Sequence, residues 1–181
     1  APLHDGADVV RAVVQWRSIA PDPDARRRPR GFDGKDPKAY AAASWDALDD
    51  LVRGTQARGL GLLLSPSSPA PAWASQCRGG GVNRRTCKPD PRAYGAFLRA
   101  LGTRYSGTYA DESTPGSVLP RVDRWSFWNE PNQPGWLTPQ YERRGGRRIA
   151  TAAHWYRRLA SSGLAGLRAT GHGRDQLLLG E

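Results

Sequence analysis

The sequence predicts an α/β fold built on a parallel sheet. Three observations predict it: short β-branched or leucine-rich runs, amphipathic segments of 3.6-residue period between them, and turn glycines where the two meet. Strand, helix, strand, helix, strand, helix and strand succeed one another along 181 residues. Such alternation is the pattern of β–α–β units, whose strands run parallel.

Residues 7–16 (ADVVRAVVQW) are a β-branched run and read as a buried strand. Residues 21–38 carry Pro21, Pro23, Pro29 and Pro37, mixed charge and no period, the mark of a long loop of the kind that is often functional. Ser44 is expected to cap a helix with Asp46 in its first turn. Leu48, Leu51, Val52 and Thr55 then recur at i, i+3, i+4 and i+7, and Gly59 stands where a terminating glycine belongs. Residues 60–65 (LGLLLS) predict the second strand, running into SPSSPAPAWAS. Asp90 followed by Pro91 predicts an N-cap and a first helical proline, with Tyr94, Phe97, Leu98 and Leu101 as the inward stripe. Residues 107–120 read as polar linker, and residues 122–128 (VDRWSFW) as the third strand. A further stripe (Ile149, Ala153, Tyr156, Ala160, Leu164, Leu167) predicts a helix over 149–170 ending at Gly171. A fourth strand begins at 176–179.

Two architectures share this alternation. A dinucleotide-binding sheet needs GxGxxG between strand and helix, but the run Gly79, Gly80, Gly81 lies between Cys77 and Cys87. A GxxxxGK[ST] phosphate loop is also absent. The (β/α)8 barrel remains, with its chemistry on loops after the strands' C-terminal ends. A closed barrel takes about 250 residues, so the expectation is a partial one: about four parallel strands with intervening helices, residues 1–181 forming an incomplete catalytic domain.

The formal net charge of +10 is carried mostly by arginine; only Lys35, Lys38 and Lys88 are lysine. The arginines are scattered, with clusters at 26–30 and 143–148, and methionine is absent. That composition fits a GC-rich genome better than a nucleic-acid footprint, so no nucleic-acid partner is expected. Seven Trp and 38% hydrophobic residues are too many for a disordered basic tail. No apolar run approaches the roughly 18–20 residues of a membrane span, so no membrane partner is expected either.

Glutamate is scarce: Glu112, Glu130, Glu142 and Glu181 are all of it. Glu130 follows the third strand directly, in RWSFWNEPNQPGW, with Asn129 before it and Pro131 after it. A carboxylate among tryptophan rings loses solvation, which favours its protonated form. A protonated carboxylic acid is what a general acid needs to donate to a leaving oxygen. The alternative is an exposed loop glutamate beside a turn proline.

WNEP at the end of a barrel strand resembles the acid/base motif of clan A glycoside hydrolases, the (β/α)8 group that includes cellulases, xylosidases and mannanases. The wider FWNEPNQPGWLTPQ is similar to the bacterial cellulase-like members near families 5 and 39. The resemblance spans about residues 7–181 as strands two to five, its specific part being the NEP segment. It implies that Glu130 is the general acid/base of a retaining hydrolysis of poly- or oligosaccharide, without a cofactor, and that Asn129 binds the sugar 2-hydroxyl. It further implies that Arg11, on the second strand, supports the nucleophile, and that Trp73 lines the sugar cleft after the third. Trp16, Trp128 and Trp136 are candidate sugar platforms, since an aromatic face packs against a pyranose, with core packing the other reading; Asn132 joins the substrate-binding set. The clan's nucleophile ends strand seven and so falls outside this sequence; Glu181 stands two strands too early and is a candidate cleft residue. The missing strands must come from the rest of the chain or from another chain. The alternative is a non-catalytic carbohydrate-binding barrel.

His4, His154 and His172 show no ligand spacing, so no metal site is expected. The serines at 65–68 lack GxSxG. Zinc would want four ligands and CxxC spacing is absent, so Cys77 and Cys87 read as a local disulfide. A disulfide implies an oxidising compartment and a secreted protein. The N-terminal APLHDGADVV has no basic-then-apolar segment, which puts any export signal outside this sequence.

Overall fold

A computed structural model describes residues 6–78 and 83–180. Its principal elements, in chain order, are β1 (Val9–Gln15), the single turn α1 (Trp16–Ile19), α2 (Asp46–Ala57), β2 (Gly61–Ser67), α3 (Pro91–Arg104), β3 (Arg124–Ser126), β4 (Glu142–Arg144), β5 (Arg147–Ile149), α4 (Thr151–Arg168) and β6 (Gln176–Leu178). Strands β1, β2, β3 and β6 form one sheet in that order, every pair parallel. A helix joins each strand to the next, the arrangement of part of an α/β barrel. Among the described residues β1 and β6 each have a single strand partner, so both edges of the sheet are open.

Local chemistry sets the helix ends. The Asp90 carboxylate accepts from the Arg92 and Ala93 amides at 2.7 and 3.1 Å, capping α3 as its sequence predicts. Gly59 takes φ +68°, and Gly59 N and Leu60 N donate back to Gln56 and Thr55 carbonyls to close α2. Ser44 does not cap α2. Its hydroxyl donates to Ala41 O at 2.7 Å within a 3₁₀ turn, and the helix starts after Trp45 with Asp46 and Asp49 in its first turn.

One sheet face carries the core. Val14, Leu62, Leu64, Trp125 and Phe127 pack with Val52, Phe97, Leu98, Leu101, Leu159 and Leu167 from the helices. The other face exposes Val9, Arg11 and Val13. Helices α3 and α4 approach to backbone contact: a Cβ at Gly166 would lie 2.3 Å from Gly95 O. Between α2 and α3 the buried Asp49 carboxylate accepts from Arg104 Nε at 2.9 Å and from the Tyr105 hydroxyl at 2.8 Å. Burial and the neighbouring Asp49 charge raise the Tyr105 phenol far above its ordinary range, so it stays a donor.

The segment 107–120 is better anchored than its polarity suggests. Leu119 and Asp111 are buried, and Asp111 takes both oxygens to Arg53 Nη1. Cys77 and Cys87 are bonded. No described helix is long and apolar enough to cross a membrane.

Candidate active site

Strand β3 ends at Ser126, and the chain then turns sharply over the C-terminal edge of the sheet. Trp128 has φ +62° and Glu130 φ +41°. Two non-glycine residues in the left-handed region flank Asn129, each costing about 1–3 kcal/mol, a form of strain found at functional sites. The surrounding bonds hold the turn. Trp128 N donates to Pro66 O at 3.2 Å, its indole N–H donates to Trp136 O at 3.0 Å, and its ring meets Tyr94 edge-on at 5.4 Å. Asn129 N donates to Ser67 Oγ at 2.8 Å, and Asn129 Oδ1 accepts from Arg11 Nη2 at 2.8 Å. Asn129 therefore ties β1, β2 and the loop after β3 together.

Glu130 is exposed beyond this anchored residue. Its carbonyl accepts from Gln133 N at 2.9 Å, and Gln133 O accepts from Trp136 N and Leu137 N, so residues 130–137 form a tight turn. Gln140 Nε2 braces that turn through the Pro131 and Leu137 carbonyls. Glu130, Asn132, Gln140, Tyr141, Ala153 and Tyr156 line a cleft of about 610 Å³. Among the described lining residues Glu130 is the one carboxylate.

The structure thus brings together Arg11 and Asn129, and Glu130 and Asn132. Trp136 is half-buried beside the same turn. Four expectations are corrected. Trp128 is fully buried, so it supports the loop from beneath and has no face to offer a sugar; Trp16 is likewise core. Trp73 lies outside the Glu130 cleft. Its indole donates to Pro21 O at 2.9 Å, its ring meets Trp16 and Phe32, and it lines a separate groove with Arg28 and Arg92. The tryptophan surroundings expected for Glu130 are not found among the described residues: Trp128 turns into the core, Glu130 is exposed, and the aromatic rings lining its cleft are those of Tyr141 and Tyr156. Glu181 and His4 lie outside the described residues. Among the described residues no cluster of His, Cys, Asp or Glu could hold a metal ion.

Sequence reasoning missed Tyr141 and Tyr156. Tyr141 is 52% exposed, with the Arg148 guanidinium 3.7 Å over its ring, and the Tyr156 hydroxyl accepts from Gly180 N at 2.9 Å. Tyr141 enters a β4–β5 hairpin whose Gly145 and Gly146 both have positive φ. A two-residue Gly-Gly turn between short strands is a hairpin signal, here masked by the surrounding arginines.

No family model matches the chain, and no curated protein matches it. Among solved structures the fold is similar to that of Fpglu1 from Fervidobacterium pennivoraus, with a TM-score of 0.55 over 97% of this chain at 14% identity. The chain spans 37% of that protein's length. At this identity the likeness concerns the fold.

Proposed function

We propose that this chain is part of an α/β-barrel O-glycosyl hydrolase acting on poly- or oligosaccharide, with Glu130 as general acid/base. One observation carries the reading: an Asn–Glu pair at the C-terminal end of β3, with Asn129 clamped by Arg11 and Ser67 and Glu130 exposed in a cleft. That edge is where α/β barrels place their chemistry. Glu130 protonates the glycosidic oxygen as the bond to the leaving sugar breaks. A second carboxylate about 5–5.5 Å away attacks the anomeric carbon, and Glu130 then deprotonates the water that hydrolyses the glycosyl-enzyme, with retention of configuration. Arg11 holds the Asn129 carbonyl oxygen, which directs the amide N–H₂ toward a sugar hydroxyl. These are proton transfers and a carboxylate displacement, so the mechanism calls for no cofactor. The second carboxylate and the segments that cover the open sheet edges come from outside the described residues, in this chain or another. The Cys77–Cys87 bond supports an extracellular setting.

The test is release of reducing sugar from a panel of glycans by the protein with all barrel strands present, with the product anomer followed by NMR. Retained configuration, lost in Glu130→Gln, is the expected result. The second reading, a carbohydrate-binding barrel without catalysis, draws on the single carboxylate among the described cleft residues. Glycan binding with no turnover in the same panel would favour it.

A further inference from the structure

The β4–β5 hairpin carries more positive charge than its own fold can neutralise. Residues 143–148 (RRGGRR) place four arginines around a Gly-Gly turn. The antiparallel register sets Arg143 opposite Arg148 and Arg144 opposite Arg147. Like charges directly opposite across a strand pair oppose the pairing, and here two such pairs are consecutive. The hairpin's carboxylate, Glu142, is held by Lys88, with Arg144 at 3.4 Å. Among the described residues no carboxylate lies within ion-pair distance of Arg143, Arg147 or Arg148. All four arginines are exposed.

The hairpin is also continuous with the cleft. Arg148 stacks 3.7 Å over Tyr141, and Tyr141 lines the cleft with Glu130. A stacked guanidinium is fixed in plane while its edge N–H groups stay available as a fork for a planar or tetrahedral anion.

From these relations we infer that the β4–β5 hairpin is a subsite for an anionic glycan, taking carboxylate or sulfate groups on sugars beside the bond held at Glu130. The inference rests on the glycosidase reading and names its substrate class. A nucleic acid is disfavoured by the same geometry: a continuous phosphate backbone in this cleft would run past the Glu130 carboxylate, whereas a glycan can place its neutral ring atoms there. The two facing arginine pairs cost stability that a bound polyanion returns.

The test is binding by the whole protein to polygalacturonate, alginate, hyaluronan and chondroitin sulfate, against cellohexaose and mannohexaose, by affinity electrophoresis and calorimetry. Wild type is expected to bind at least one anionic glycan about tenfold or more tightly than either neutral one. The double variant Arg143→Gln with Arg147→Gln is expected to lose about tenfold on the anionic glycan. Its affinity for neutral glycans should be unchanged and its thermal midpoint no lower, since each substitution removes one like-charge facing. No preference for anionic glycans, or a preference unaffected by the double variant, overturns the subsite. So does equally tight, equally hairpin-dependent binding of single-stranded or duplex DNA. Turnover of neutral glycans together with no hairpin-dependent preference for anionic ones retains the glycosidase reading while the subsite falls. Hairpin-dependent binding of an anionic glycan that wild type never cleaves does the reverse.

Discussion

Arg11 on β1 donates to Asn129 Oδ1 at 2.8 Å across 118 positions of sequence, linking the first strand of the sheet to the loop that follows its third. The bond passes over β2, whose Ser67 receives the Asn129 amide. Asn129 is buried and Arg11 exposed, so an exposed side chain on β1 orients a buried one directly before Glu130.

If that bond positions Asn129, Arg11 and Asn129 act as a unit. Arg11→Ala and Asn129→Ala should each slow turnover, and the double variant should be little worse than either single one. The coupling should be about 1 kcal/mol or more, as for residues in one hydrogen-bonded network. The readout is a double-mutant cycle on kcat/KM. Losses that simply add would mean that the two residues serve catalysis separately.

Gly166 offers a test of the helix packing. In an exposed helix, alanine is favoured over glycine by about 1 kcal/mol. Here the added Cβ would meet the Gly95 carbonyl oxygen at 2.3 Å and Arg99 N at 3.0 Å, both backbone atoms. Sterics should win. Gly166→Ala is expected to lower stability by about 1–3 kcal/mol in chemical denaturation, and a rise would show that α3 and α4 have room to separate.

Much of this organisation was legible locally. Asp90 and Pro91, the leucine stripe of α2 and Gly59 each act within a few residues, so helix ends could be read in sequence. The Asn129–Glu130 pair stood out through its place after the third strand and the resemblance of WNEP to an acid/base motif, since a lone glutamate beside a turn proline reads equally as an exposed loop residue. Trp128 was not legible. Its positive φ takes it off the two-residue alternation of β3, and no periodicity rule then tells which way the ring faces. The Arg11–Asn129 bond was not legible as a contact, because it depends on the order of strands in the sheet. Trp73 fell among Trp16 and Phe32 through the path of a proline-rich loop that carries no period.

At the opposite end of the sheet, Asp175 joins three partners. Oδ2 accepts from Trp125 Nε1 at 3.0 Å and meets His172 Nδ1, and Oδ1 accepts from Arg121 at 2.6 Å. Burial favours the protonated acid, but hydrogen bonds from His172 and Trp125 and the charges of His172 and Arg121 outweigh it and hold the carboxyl below the usual range. A depressed carboxyl contributes stability above its unfolded value and loses it as pH falls through the folded one. Stability should therefore decline below about pH 4. Asp175→Asn should be less stable at neutral pH by about 2–3 kcal/mol and decline less steeply in acid. Equal acid slopes in urea titrations of the two proteins would assign the acid response elsewhere.

The sharpest test of Glu130 separates proton donation from every other service a carboxylate can perform. Glu130→Gln keeps the shape of the side chain and removes its transferable proton. General acid catalysis contributes about 10²–10⁴-fold, so glycosides with poor leaving groups should slow by at least that order. Aryl glycosides with activated leaving groups depart without protonation, so formation of their glycosyl-enzyme should be nearly preserved. Hydrolysis of that intermediate should still be slow, because the same residue must then act as base on water. A burst of phenol followed by a slow steady state is the expected trace. Azide needs no deprotonation to attack, and it should restore turnover and yield the glycosyl azide with retained configuration. Because Glu130 is exposed on a turn that is held by backbone bonds and by Asn129 rather than by its own carboxylate, the substitution should leave the fold intact. Equal losses on both substrate types with no azide rescue would assign Glu130 a role other than proton transfer.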